Sequence, residues 1–202
     1  MVDHTGNTFC AGADLKAVDL NAIEDTARLF IGLLHGIVTT PKPVVAVVDG
    51  NVRAGGTGIV AACDIAFASP NSTFGVTEAR IGVAPAMITL TPLPKVDPRA
   101  AAYHLLSADT FGADEAQRIG LITETVEDPT ARANAWSTEA LKCSPQGLRE
   151  TKSLLNRQLR ESFDTQSDTL AAKSASLFLT EEAIEGIFAF RERREPSRAA
   201  VP

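Results

Sequence analysis

Residues 41–58 read PKPVVAVVDGNVRAGGTG, and this stretch decides the class of fold. Val44–Val48 is apolar and β-branched, which indicates a strand buried on both faces. The glycines that follow precede a small, apolar segment, so we predict a helix over Gly56–Cys63. Asp64–Ala68 reads as a second buried strand. Strand, helix and strand in this order predict an α/β fold.

The same pattern extends outward from this stretch in both directions. Apolar residues at helical spacing predict a helix over 21–35, and the prolines at 41 and 43 stop this helix. A short strand is predicted over Phe74–Glu78. After Pro98 the chain becomes mostly helical, with helices predicted over 98–107, 113–119, 129–142, 144–161, 163–178 and 180–192 and a short strand over 121–126. We therefore divide the chain into a core, 1–127, and a C-terminal helical region, 128–202.

Composition limits the partners. The 202 residues are 45% apolar and 22% charged, which is enough for one sizeable core. The net charge of −6 argues against nucleic acid or an anionic membrane as a partner. Three widely spaced cysteines give neither a disulfide framework nor a zinc site, and no run approaches the ~18 apolar residues of a membrane span. We expect a cytoplasmic protein that binds no metal.

The glycine-rich segment also matches a dinucleotide-binding pattern. Gly56, Gly58 and Ala61 fit GxGxxA, and Glu78 follows Gly58 by twenty residues. That fingerprint requires a strand that runs directly into the first glycine, yet seven residues separate Val48 from Gly56. The next predicted strand also begins too soon for a crossover of ~10–12 residues. The spacing therefore disfavours a dinucleotide site.

An anion-binding site explains the same glycines better. Gly55 and Gly56 would present free backbone N–H groups at a helix start, where an oxygen can come close because glycine has no Cβ. The segment 11–13, Ala-Gly-Ala, offers a second amide of this kind. Two convergent N–H groups suit a thioester carbonyl that becomes an enolate. The spacing alone leaves open that both segments are tight turns with small residues for packing.

The motifs, in their order and spacing, resemble the crotonase superfamily of enoyl-CoA hydratases and isomerases. The resemblance covers nearly the whole chain, and it is carried by FCAGADL (9–15), PKPVVAVVDG (41–50), AGGTG (54–58), CDIA (63–66), FGVTE (74–78), IG (81–82), ADEA (113–116) and IGL (119–121). It implies a ββα spiral core over 1–127 with an acyl-CoA thioester site. The helices of 128–202 would assemble a homo-oligomer, a trimer or a dimer of trimers.

The resemblance also implies the site residues. The thioester oxygen would be held by the N–H groups of Ala13 and Gly55, with Glu78 as the catalytic acid/base. Coenzyme A is part of the substrate, so no separate cofactor is expected. Further substrate or CoA contacts are expected at Ala11, Asp14, Leu15, Gly56, Gly58, Pro85, Phe190 and Arg194.

Three departures from the family pattern matter. Most hydratases have a glutamate where this chain has Gly58, and the segment 85–89, PAMIT, replaces a glycine-rich turn. Both departures resemble the branch of bacterial hydratases similar to methylglutaconyl-CoA hydratase. Family members usually have several strands and a helix before the residue equivalent to Phe9. We therefore expect that the chain is truncated at its N-terminus.

A single carboxyl leaves the reaction open. Hydration of a 2-enoyl thioester needs a base for water and an acid for C2, and Glu78 could serve as both. An isomerase needs one base to move a proton from C2 to C4. A third hypothesis is an inactive chain that binds acyl-CoA or only assembles with partners. Glu78 follows an apolar strand, so desolvation should raise its pKa, unless it is a solvated strand-end carboxylate.

Other polar residues are expected to be structural. His4, His35 and His104 have no matching catalytic partners in the sequence, and Cys10 has no base in view. Asp14 could cap a following helix and not contact ligand at all.

Overall fold

The computed structural model describes residues 1–19 and 22–197, which form an α/β fold with two sheets. The strands are β1 Thr8–Cys10, β2 Val45–Val48, β3 Asn51–Arg53, β4 Ile65–Ala68, β5 Thr73–Gly75, β6 Thr110–Gly112 and β7 Glu124–Thr125. The helices are α1 Ile23–Thr39, α2 Gly55–Ala62, α3 Pro98–Ser107, α4 Ala113–Arg118, α5 Pro129–Ala140, α6 Pro145–Leu155, α7 Arg157–Phe178 and α8 Glu181–Glu192. Two short 3-10 turns span Glu78–Ile81 and Ile88–Leu90.

The first sheet has the order β2-β4-β7 and is parallel throughout, and Val2 forms a parallel bridge with Ala46 at its edge. The second sheet has the order β1-β3-β5-β6, and all its pairs are parallel except β5 with β6. The chain passes from one sheet to the other at Asp49-Gly50. A Cβ on Gly50 would lie 2.3 Å from the Asn7 carbonyl oxygen, so this crossing requires glycine.

The predicted strands of the first sheet are buried on both faces, as expected. Val45, Val47 and Phe67 pack against α5, where Ala133 is buried and Trp136 partly buried. The opposite face joins the main core, with β3, α2, α3 and α4. The Val-rich strand therefore lies in the middle of two apolar layers.

The C-terminal helices pack onto the core. Helix α1 lies along α7, and their contact buries Ile31, Leu34 and Phe163. The Lys152 ammonium is 2.7 Å from the Asp64 carboxylate and also donates to the carbonyls of Ile37 and Lys42. The boundary at residue 127 stays a prediction, and residues 198–202 lie outside the described part of the chain.

Several element boundaries differ from the sequence prediction. Helix α1 continues to Thr39, beyond the predicted end at His35, and its predicted start at residue 21 lies outside the described residues. The predicted helix over 144–161 is broken at Asn156, where α6 ends and α7 begins. The strand predicted over 121–126 shrinks to β7, because residues 119–123 form a turn around Gly120.

The two differences nearest the candidate site concern β3 and Glu78. Residues 51–53 form a strand that the sequence did not predict, because Arg53 and the adjacent glycines do not follow a strand pattern. The strand predicted over Phe74–Glu78 ends at Gly75, and Glu78 begins a 3-10 turn. Strand β3 ends at Arg53, and α2 begins at Gly55. The argument that no strand leads into the first glycine of the GxGxxA pattern was therefore wrong.

Candidate active site

Two loops meet at one edge of the second sheet. Strands β1 and β3 are parallel neighbours, so the loops after them lie at the same edge. A Cβ on Gly56 would lie 2.7 Å from the Cys10 Cβ, and one on Gly12 would lie 2.9 Å from the Ala54 Cβ. The segment that carries Ala13 therefore packs directly against the start of α2. These small residues are required by the close approach of two backbones.

The two amides named by the resemblance are both unpaired. Gly55 is the first residue of α2, so its N–H has no intrahelical acceptor. Within the described chain, neither the Ala13 N–H nor the Gly55 N–H donates a hydrogen bond to a backbone carbonyl. Gly56, also at the helix start, is buried against Cys10. An anion at this edge would meet backbone donors and the positive end of a helix dipole.

Ala54 holds an unusual backbone conformation between these loops. Its φ of 49° and ψ of −121° lie in a region that L-residues rarely adopt. The Ala54 N–H donates to the Gly75 carbonyl at 2.9 Å, and its own carbonyl accepts the Thr57 N–H at 2.9 Å. These contacts fix the peptide plane that carries the Gly55 N–H. They also tie the start of α2 to β5, three residues before Glu78.

Glu78, three residues after the end of β5, has a carboxyl group that is largely removed from solvent. Its Oε2 is buried and has no hydrogen-bond partner among the described residues. Burial raises the pKa of the carboxyl to about 7, against a smaller lowering by backbone N–H groups. The alternative of a solvated strand-end carboxylate does not fit this burial. A carboxyl with a pKa near neutrality can both accept and donate a proton.

Apolar side chains surround the glycines of α2. A Cβ on Gly58 would lie 3.1 Å from two carbon atoms of Ile88, so Ile88 fills the space that a side chain at position 58 would need. The Phe30 ring lies 3.0 Å from a Cβ built on Gly55. Met87 and Phe30 belong to one apolar cluster. Pro85 is partly buried and begins the turn that positions Met87 and Ile88. The sequence did not identify Phe30 or Ile88, because nothing in helical spacing shows which glycine a side chain will cover.

Residues 14–17 form a turn beside Ala13. The Asp14 carboxylate accepts the Lys16 N–H at 2.9 Å, and the Asp14 carbonyl accepts the Ala17 N–H at 3.0 Å. The suggestion that Asp14 caps a helix is therefore wrong, since it closes a turn ahead of α1. The Arg191 guanidinium donates to the Leu15 carbonyl at 2.9 Å, which joins this turn to α8. No sequence signal linked Arg191 to this loop.

Three further predicted CoA contacts are exposed or are paired with carboxylates elsewhere. Ala11 is exposed, and so is Phe190 on α8. The Arg194 guanidinium pairs with the carboxylates of Glu185 and Glu192, at 2.6 Å each. The CoA contacts expected of Ala11, Phe190 and Arg194 stay predictions.

The histidines have structural contacts. His104 is buried, with its Nδ1 2.8 Å from Asp109 and its Nε2 3.3 Å from Glu115. His4 Nε2 accepts the Asp49 N–H, and His35 packs on the Phe163 ring.

Two further observations concern the whole described chain. A cleft of about 290 Å³ between α1 and α7, lined by Arg28, His35 and Asp168, does not include Glu78. In residues 1–19 and 22–197 no three His, Cys, Asp or Glu side chains are arranged to hold a metal ion, and no helix is both long and apolar enough to cross a membrane.

Comparison with known proteins agrees with this geometry. The family model described as Enoyl-CoA hydratase/isomerase matches residues 2–199. A crystal structure of an enoyl-CoA hydratase from Mycobacterium avium has a TM-score of 0.90 and 49% sequence identity, over 96% of this chain and 76% of that one.

Two curated relatives are similar over most of the chain. The mevalonyl-coenzyme A hydratase sidH of Aspergillus fumigatus is 35% identical over 97% of this chain and 76% of its own length. The mitochondrial methylglutaconyl-CoA hydratase of Rattus norvegicus is 28% identical over 93% of this chain and 63% of its own length. The family model and these relatives show that the chain belongs to the enoyl-CoA hydratase/isomerase family of the crotonase superfamily.

Proposed function

We propose that the chain hydrates 2-enoyl-CoA thioesters, with Glu78 as the single acid/base and the N–H groups of Ala13 and Gly55 as the oxyanion hole. The observation that carries this proposal is the buried, unpartnered Oε2 of Glu78, whose carboxyl has a pKa raised to about 7. Two hydratases among the relatives, sidH and the rat methylglutaconyl-CoA hydratase, support the reaction class.

The two amides would act on the thioester carbonyl. As water adds to C3, negative charge moves onto the carbonyl oxygen and an enolate forms. Backbone donors that are already fixed by packing stabilise this charge without reorganising, by a few kcal/mol for each donor. The constrained backbone at Ala54 and the contact of Gly12 with the Ala54 methyl support a fixed spacing between the donors.

Glu78 would carry the proton. Its carboxylate takes one proton from water while the water oxygen bonds to C3. The resulting carboxylic acid then gives that proton to C2, the enolate collapses to the saturated 3-hydroxy thioester, and Glu78 returns to its starting state. A pKa near 7 suits both half-steps, because neither proton transfer is then strongly uphill. The apolar side chains of Phe30 and Ile88 would limit other water at the reacting carbons.

An isomerase is the second candidate, and the surroundings of Gly58 favour it. Ile88 fills the space of a second carboxyl, and moving a double bond from C3 to C2 needs one base alone. A third candidate is a chain that binds acyl-CoA without turnover.

One set of assays separates these candidates. Loss of the enoyl-thioester absorbance of crotonyl-CoA supports the hydratase. Conversion of a 3-enoyl-CoA to a 2-enoyl-CoA without hydration supports the isomerase. Binding of crotonyl-CoA with neither reaction would overturn both. The homo-oligomer and the cytoplasmic location remain predictions alongside this function.

The pH dependence follows from Glu78. Its carboxylate form is the base that activates water, and this form is lost as pH falls through about 7. We therefore expect kcat/KM for crotonyl-CoA to rise between about pH 5.5 and about pH 8.5, with an apparent pKa near 7. A profile that is flat across this range, with the fold intact by circular dichroism, would contradict the role of Glu78.

A second carboxyl could be added at position 58. The single change Gly58→Glu should destabilise the protein, because its Cβ would lie 3.1 Å from Ile88. The double change Gly58→Glu/Ile88→Ala provides space, and we expect it to raise hydration about tenfold over Ile88→Ala alone. Isomerisation should stay unchanged, since it needs one base. Equal gains in both reactions would show that the new carboxyl acts in another way.

A further inference from the structure

We propose that Arg191 is a positioning residue for this reaction, because it fastens α8 to the turn beside Ala13 and so fixes the Ala13 amide relative to Glu78. The inference rests on the proposed function. It differs from the predicted CoA contacts at Phe190 and Arg194, since it assigns Arg191 no contact with substrate.

The first observation is the set of acceptors that Arg191 uses. Its Nε donates to the Leu15 carbonyl at 2.9 Å, and its Nη2 donates to the same oxygen and to the Lys16 carbonyl at 3.2 Å. Arg194, three residues later, pairs instead with carboxylates of its own helix region. The guanidinium of Arg191 therefore binds backbone, and a planar fork of donors restricts how that backbone can move.

The acceptor turn adjoins Ala13 and is closed by its own hydrogen bonds. Asp14 closes it with two hydrogen bonds, from the N–H groups of Lys16 and Ala17. Leu15 also packs its side chain into the apolar cluster of α8, with Val83 and Ile187. Any displacement of α8 would therefore move this turn, and the peptide that carries the Ala13 N–H is next to it in the chain.

The second observation is that the same helix packs on the turn of Glu78. A Cβ on Gly186 would lie 2.6 Å from the Ile81 carbonyl oxygen, so helix and turn are in direct backbone contact. Gly82, with a φ of +75°, ends that turn, and a Cβ built on Gly82 would lie 3.0 Å from atoms of Glu182. Helix α8 thus contacts the Glu78 turn through Glu182 and Gly186 and the Ala13 side through Arg191.

These contacts make α8 a rigid spacer between the two halves of the proposed site. Gly186 and Arg191 are five residues apart, or ~7.5 Å along a helix axis. Helix α8 has twelve residues, and its buried Ala183, Gly186 and Ile187 hold it against the rest of the fold. If Arg191 is lost, the Ala13 amide keeps its position less well while Glu78 keeps its own. The oxyanion donor and the acid/base then no longer have a fixed separation.

The test uses Arg191→Met, Arg191→Lys and the matched surface variant Arg149→Met, whose arginine pairs with Glu150 on α6. Each is assayed with crotonyl-CoA and with crotonyl-pantetheine, a thioester without the nucleotide phosphates. We expect Arg191→Met to lower kcat about tenfold with both substrates, with KM within about twofold, since small misplacements of a reacting group are costly. Arg191→Lys should recover part of this loss, and Arg149→Met should match the unaltered chain.

Hydrogen–deuterium exchange supplies a readout without turnover. Residues 13–17 should exchange faster in Arg191→Met, while the segment 78–82 and the melting temperature change little. An unchanged kcat and unchanged exchange would overturn the proposal. A rise in KM confined to crotonyl-CoA would also overturn it, because Arg191 would then be a phosphate contact. If the unaltered chain hydrates neither thioester, the proposed function fails, and this role fails with it.

Discussion

Glu78→Gln should lower kcat for crotonyl-CoA hydration by ~10²–10⁴-fold, the usual loss for removal of a general acid/base. Glutamine keeps the size of the side chain but has no carboxylate to accept a proton from water. Thioester binding should change little, because the Ala13 and Gly55 amides remain. Incorporation of deuterium from deuterated water at C2 of the 3-hydroxy thioester should also stop.

The same change should stabilise the folded protein above neutral pH. The pKa of Glu78 is raised in the folded state, so the folded chain binds its proton more tightly than the unfolded chain. The free energy of unfolding therefore falls as pH rises from about 4.5 to about 7, and Glu78→Gln removes that loss. At pH 8 we expect a gain of ~1–3 kcal/mol, measured by urea unfolding. At about pH 4 the gain should vanish.

Glu139→Gln is the matched control, since Glu139 is an exposed carboxylate on α5 that pairs with Lys142. It should leave both activity and stability nearly unchanged. Undiminished incorporation of deuterium at C2 in Glu78→Gln would exclude Glu78 from the reaction, for hydratase and isomerase alike. Loss of activity without any gain in stability at pH 8 would instead show that the carboxyl is not desolvated.

Lys152→Met should destabilise the protein by up to ~3 kcal/mol, because it leaves the partly buried Asp64 carboxylate without its ion partner. The Lys152 side chain is 5% exposed, and its ammonium donates to Asp64 and to two carbonyls. Asp64 also accepts hydrogen bonds from the Val44 N–H and the Asn156 amide. These contacts join α6 and α7 to the first sheet. The free energy of unfolding, measured with urea, tests this directly.

The double variant Lys152→Met/Asp64→Asn should lose less than Lys152→Met alone, because no buried charge then stays unpaired. Lys142→Met removes an exposed ion pair on α5 and should cost under about 0.5 kcal/mol. Equal losses in Lys152→Met and Lys142→Met would show that the buried pair does not join the C-terminal helices to the core.

Elements with a local signal were predicted well. The β-branched run of β2 and the apolar run of β4 predict buried strands, and the structure confirms both. Helix α3 was predicted with its observed bounds, Pro98–Ser107, from the proline at its start. In the structure Ala108 ends this helix in a left-handed conformation. The small residues around Gly12 and Gly55 predicted that an anion approaches each backbone, or that both segments are tight turns; the contact of the two loops with each other is a finding of the structure.

Features set by long-range contacts could not be predicted. Strand β3 forms because β1 and β5 flank it, although its residues have no strand pattern. The burial of Glu78 depends on elements distant in sequence, and so does the contact of Ile88 with Gly58. Arg191 binds the Leu15 carbonyl, 176 residues away in the chain. A single sequence shows a glycine or an arginine but not which backbone will face it.

The packing of α8 has a consequence for the order in which the protein is made. The turn at 14–17 leaves the ribosome before Gly186 and Arg191, which come far later in the chain. Until α8 has emerged, the Glu78–Ile81 turn lacks its backbone neighbour and Leu15 lacks its cluster. A nascent chain that already contains both amides and Glu78 therefore still has an unfinished site. If the proposed site is correct, catalytic competence would begin with the folding of α8, after Ala13, Gly55 and Glu78 have all been synthesised.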